Sequence, residues 1–111
     1  MVMLSSAAAH LAPARQITYS AMKAGVEAAS RVAAKELGRR SITVNVVRPG
    51  ATDTRRLHDS TSSGAVEAMA AAPALGRLGT PSDIASLVTW LTSDDAQWVT
   101  GAVIDANGGL F

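Results

Sequence analysis

At 111 residues, 48% of them hydrophobic, the chain has room for one domain with a modest core, and its formal charge of +1 gives no reason to expect nucleic acid or an anionic membrane surface as a partner. It has no cysteine, which excludes disulfides, a thiolate nucleophile and cysteine metal sites. Met1-Val2-Met3-Leu4 is too short for a signal-peptide core and lacks a basic flank, and no apolar run approaches the ~20 residues that span a bilayer, so a cytoplasmic protein is the default expectation.

In chain order, Val2-Met3-Leu4 reads as the end of a buried strand. Ser5 to Thr18 reads as a loop punctuated by Pro13. Residues Tyr19 to Leu37 are rich in Ala, Glu, Lys and Arg and predict a helix, with Gly38 as its C-cap and Arg39-Arg40 as a basic turn. The β-branched run Ile42 to Val47 predicts a strand, ended by Pro49-Gly50. Ala51 to about Ser63 predicts a polar loop, and Gly64 to Ala72 a short helix stopped by Pro73. Thr80-Pro81-Ser82-Asp83 has the composition of a helix start, with a capping hydroxyl, a proline at the first helical position and an acid for the dipole. That helix is expected to reach about Thr92. Ala102 to Asp105 predicts a last strand, and Asn107-Gly108-Gly109 a turn. The order implies an α/β fold, with parallel strands joined by right-handed helical crossovers.

The residues that carry chemistry sit early in the chain. Tyr19 and Lys23 are one helical turn apart, so their head groups share a face. A phenol titrating near about 10 is a poor base at neutral pH, and a cation beside it favours the phenolate. Ser6, thirteen residues before Tyr19, offers a hydroxyl that can hold a carbonyl or alcohol oxygen. These are the parts for moving a proton on and off oxygen while hydride moves on carbon. The plainer alternative is a half-buried tyrosine beside a solvated lysine, with both serines satisfying loop backbone.

Several stretches, in order and spacing, resemble the classical short-chain dehydrogenase/reductase family. They are Leu4-Ser5-Ser6, Tyr19 to Gly25, Val44 to Gly50, Gly76 to Ala85 and Val99 to Gly109. The resemblance implies a partial, doubly wound Rossmann-like parallel sheet of about three strands with helices. It covers the C-terminal half of the family fold, so residues 1–111 are expected to form a single partial domain, a truncated fragment. It implies catalytic roles for Ser6, Tyr19 and Lys23. It implies contacts to NAD or NADP through Tyr19, Lys23, Pro49, Gly50, the backbone at Thr52 and the hydroxyl of Thr54. The substrate implied is a small-molecule alcohol or ketone, covered by a lid over Arg55 to Leu75. Asn107 stands where the family more often has aspartate. No G-x-G-x-x-G turn follows a strand in this sequence, and Gly76 and Gly79 do not supply one.

Three readings stay open. One is an oxidoreductase of this type. Another is a catalytically inactive fragment acting as an oligomerising or partner-binding module, with Ala24, Ala28, Val32 and Leu37 as an apolar stripe on helix 19–37 and a homo-oligomer as its expected form. In the third, a separate chain supplies the missing half. His10 and His58 lack a second ligand at metal spacing and are read as solvated or locally hydrogen-bonded. Arg55-Arg56 reads as a solvated pair.

Overall fold

Branched side chains favour extended backbone, and the run Val44-Asn45-Val46-Val47 forms the centre of the sheet, where every one of the four is 0% exposed. In the computed structural model, which describes residues 1–111, β2 (Asn45–Pro49) lies between β1 (Val2–Leu4) and β3 (Val103–Ala106). Both pairings are parallel, with Met3 opposite Val46 and Val46 opposite Val103. This is the α/β, Rossmann-like partial sheet that the family resemblance implies, with three strands.

Successive strand residues point to opposite faces, and β2 shows which helix covers each. Val47 packs with Leu91, Ala96, Ile84, Leu87 and Val88, so α5 (Pro81–Leu91) covers one face. Its neighbour Arg48 reaches Glu27, so α2 (Ile17–Leu37) covers the other. The helix α5 begins as its composition predicts. Thr80 Oγ1 accepts from the Asp83 amide at 3.2 Å, and the Asp83 carboxylate accepts from the Thr80 amide at 2.7 Å. Arg77, with Thr80, holds the Asp83 carboxyl well below the usual carboxylate range.

Several boundaries differ from the sequence expectation, each for a local reason. The helix expected from Tyr19 begins at Ile17, and the loop before it contains α1 (Ala8–Leu11), whose start is seeded by Ser6 Oγ accepting from the Ala8 amide. Gly38 is right-handed (φ −59°) and continues into a 3₁₀ turn over Gly38–Arg40. The left-handed residue is Ser41 (φ 58°). The second strand starts at Asn45 rather than Ile42 and runs through Pro49, because its carbonyls keep partners that far: Val47 O accepts from Ser5 N and Pro49 O from Ala7 N, both at 2.8 Å. β1, expected to be buried, is an edge strand with Leu4 49% exposed, since nothing pairs with its outer side. Within the expected polar loop after Gly50, Thr54 caps a short α3 (Arg55–Ser60), followed by α4 (Ser63–Ala71). Neither helix buries a residue.

Candidate functional site

β1 and β2 end on the same edge of the sheet, and the segments leaving those two ends form the site. Ser5-Ser6-Ala7 leaves β1 and stays bonded to β2 through the Ser5 and Ala7 amides, so Ser6 is held beside the end of β2. Its hydroxyl accepts from the Ala8 amide at 3.2 Å and keeps its own proton for donation.

Lys23 reaches the same corner from α2. Its Nζ donates to Leu4 O at 2.9 Å, the last carbonyl of β1, and lies 5.9 Å from the centre of the Tyr19 ring. Amine and ring therefore sit on one side of the helix, at cation–π range. Only one of the three ammonium protons is used by Leu4, which leaves donors for a ligand. Tyr19 is 43% exposed. The shallow hollow of about 370 Å³ beside it is lined by Arg15, Gln16, Ile17, Thr18 and Tyr19, and includes neither Ser6 nor Lys23. Lys23 and Tyr19 face one another, and Ser6 follows two residues after the Leu4 carbonyl that Lys23 holds.

The loop after β2 is pinned more firmly than its turn-like sequence suggests. Gly50 donates to Ala106 O at 3.1 Å, and a Cβ there would crowd the Asn107 Cα at 3.0 Å, so a larger residue would push the two loops apart by a few tenths of an ångström. Thr52 Oγ1 donates to Gly50 O at 3.1 Å, and Thr52 forms a parallel bridge with Gly79. Thr54 Oγ1 accepts from the Leu57 amide at 3.3 Å as the N-cap of α3. No hydrogen bond joins Thr52 or Thr54 to Tyr19 or Lys23. Asn107 turns the chain after β3, its Oδ1 accepting from the amides of Gly109 and Leu110.

The sequence reading missed the group that links these parts. Glu27 lies four residues beyond Lys23, on the same helix face, and is only 7% exposed. Its Oε1 accepts from Arg48 Nε at 2.9 Å and from Ser5 Oγ at 2.7 Å, and its Oε2 from Arg48 Nη2 at 3.0 Å. Arg48 Nη1 donates to Asp105 Oδ1 at 3.0 Å. The Arg48 hydrogen bonds hold the Glu27 carboxyl below its ordinary value against the opposing effect of burial, and Glu27 in turn raises Arg48. The available signal was the run of spacings 19, 23, 27, which puts an acid on the face that meets the sheet. Of the histidines, His58 Nε2 lies 2.7 Å from Asp53 Oδ1, a local bond as expected, whereas His10 stacks on Phe111 at 4.2 Å between ring centres. Arg55 makes an exposed contact with Asp59.

The family model described as enoyl-(acyl carrier protein) reductase matches residues 1–111. The chain belongs to the short-chain dehydrogenase/reductase family. The 3-oxoacyl-(acyl-carrier-protein) reductase FabG of Pseudomonas aeruginosa is 40% identical to it over 111 residues, which is 100% of this chain and 44% of that protein. The solved short-chain dehydrogenase/reductase of Brucella melitensis superposes with a TM-score of 0.92 at 33% identity, covering 99% of this chain and 44% of the other. The angucycline C-6 ketoreductase LanV with bound NADP superposes with a TM-score of 0.90 at 35% identity, covering 98% and 42%. The chain spans 38% to 44% of the length of the first two curated relatives it matches.

Proposed function

We propose that residues 1–111 form a partial domain that carries the proton-transfer end of an NAD(P)-dependent oxidoreductase, acting between an alcohol and its carbonyl compound. The observation that carries this reading is the convergence of Lys23 Nζ on Leu4 O at 2.9 Å and on the Tyr19 ring at 5.9 Å, at the strand end that Ser6 leaves. Ser6 donates to the substrate oxygen and orients it. Tyr19 gives a proton to that oxygen during carbonyl reduction and takes it back during alcohol oxidation. Lys23 keeps its place through Leu4 and turns its remaining protons to the ribose hydroxyls. The nicotinamide, when bound, supplies or accepts the hydride. The exposed phenol, the spare lysine donors and the Gly50 loop suit the nicotinamide end of such a nucleotide. The pyrophosphate end finds no glycine-rich turn at a helix N-terminus in this sequence. That cradle comes from another stretch of polypeptide, in the same protein or a second chain.

A non-catalytic, self-associating module is the second reading. It is favoured by the outward side of α2, where Met22 is 57% and Val32 54% exposed, and by the unpaired edge of β1.

Calorimetric titration with NADH and NADPH separates the two. The chain alone is expected to bind neither nucleotide at micromolar concentration. Adding the part of the P. aeruginosa relative that this chain does not match should produce binding and ketone-dependent oxidation of one nucleotide. If binding and turnover stay absent after that addition, the oxidoreductase reading fails and the associating module stands.

A further inference from the structure

The three segments that carry the candidate site residues are held together by one carboxylate. Glu27 belongs to α2, four residues from Lys23 and eight from Tyr19. It binds Ser5, the neighbour of Ser6, and it binds Arg48, the neighbour of Pro49. The backbone bonds from Ser5 N to Val47 O and from Ala7 N to Pro49 O straddle Arg48, so the serine loop and the end of β2 form one zipped unit. Glu27 clamps that unit to the helix through a bidentate fork, an arrangement that sets orientation as well as distance.

Burying a carboxylate and a guanidinium is a poor way to add stability, because an apolar pair of similar volume holds elements together as well or better. Here the side chains of Glu27 and Arg48 are only 10% and 14% exposed. What the fork supplies, and an apolar pair would not, is a fixed angle between the helix and the two loops. We infer that Glu27, acting through Arg48 and Ser5, is a positioning residue that keeps Ser6, Tyr19 and the Pro49-Gly50 turn in register with one another. The inference rests on the oxidoreductase reading for its chemical consequence, and on the geometry alone for its structural one. A misplacement of about 1 Å among reacting groups is worth on the order of 10²-fold in rate.

The test uses a variant that keeps the packing and removes the fork, Glu27→Leu with Arg48→Met, beside the conservative Glu27→Asp. Amide hydrogen exchange on the 111-residue chain compares Ala7, bonded to Pro49, and Gly50, bonded to Ala106, with Val46, bonded to Ala102 in the sheet centre. In the double variant Ala7 and Gly50 should exchange about tenfold faster while Val46 keeps its protection, because only the local opening is eased. Glu27→Asp should restore part of the protection. In the turnover assay with the added part of the P. aeruginosa relative, kcat should fall on the order of 10²-fold with the nucleotide KM nearly unchanged. Equal acceleration at Ala7, Gly50 and Val46, or no acceleration at any of them, overturns the inference and leaves Glu27 a purely structural ion pair. So does unchanged kcat per folded molecule. A wild-type protein that turns over nothing sinks the oxidoreductase reading instead, and the exchange result still decides whether the clamp exists.

Discussion

The two long sides of α2 differ in how their side chains are partnered. The side turned to the sheet carries Glu27 and Ser30, both buried, and Lys23, beside the apolar Val26 and Ala34, whereas the side turned to solvent carries Met22, Ala24, Ala28 and Val32, all exposed, beside the charged Lys35 and Glu36. Each inner polar group has a specific partner: Leu4 O for Lys23, Ser5 and Arg48 for Glu27, Val26 O and Met3 Sδ for Ser30. The outer side has none. A polar face can be an interior face when every donor and acceptor on it is matched, and an apolar face can be an outer one when the surface it would meet lies on another polypeptide.

Substitutions on the two sides should therefore read out differently. Among inner-side changes, Tyr19→Phe removes only the phenolic hydroxyl, and turnover in the assembled assay should fall about 10²–10⁴-fold while circular dichroism stays the same. Arg48→Met strands the Glu27 carboxylate in a buried position, and urea unfolding should show a loss of about 3–5 kcal/mol. Adding Glu27→Leu should recover most of it, which would separate the cost of an orphaned charge from the value of the pair. The same pair fixes a pH dependence. The Glu27 carboxyl titrates lower folded than its ordinary 4.5, so its contribution is fully present above that value. Stability should decline as pH falls through the lower, folded value, and a urea titration series should show this slope flattened in the Arg48→Met protein.

Away from α2, Thr80→Ala removes the capping hydroxyl of α5 and should cost about 1 kcal/mol in the same experiment. The smallest change in folding is expected on the outer side. Val32→Asp should alter unfolding free energy by less than about 0.5 kcal/mol, yet shift sedimentation toward the monomer if that side is where copies meet. A large destabilisation there would mean the side is not free, and would erase the contrast between the two.

Much of the architecture is legible along the chain. The valine run announces the central strand, Thr80-Pro81-Ser82-Asp83 announces α5, and the four-residue spacing of Tyr19 and Lys23 announces their shared helix face. The misses have a common cause. Gly38 has the composition of a left-handed cap, but the backbone reversal falls at Ser41, because a 3₁₀ turn prolongs the helix end. Thr54 reads as part of an irregular loop, yet it caps α3 through a bond to Leu57 that local spacing permits without requiring. The stripe Ala24, Ala28, Val32 and Leu37 is readable as a stripe, but periodicity does not say whether a stripe meets the sheet or faces away: the first three are exposed and Leu37 is half-buried.

The amino-acid order by itself determined the three strands, the helices α2, α4 and α5, the parallel arrangement and the family, because propensity, periodicity and motif spacing act over a few residues at a time; the short α1 and α3 it left as loop. Only the tertiary structure decided that Glu27 meets Arg48 across 21 residues of chain, that Arg48 also reaches Asp105 across 57, and that Glu27 and Ser30 are buried against the sheet. Such contacts depend on which side of a strand each residue occupies once its neighbours pair, and a parallel register is set by the whole sheet rather than by any local stretch.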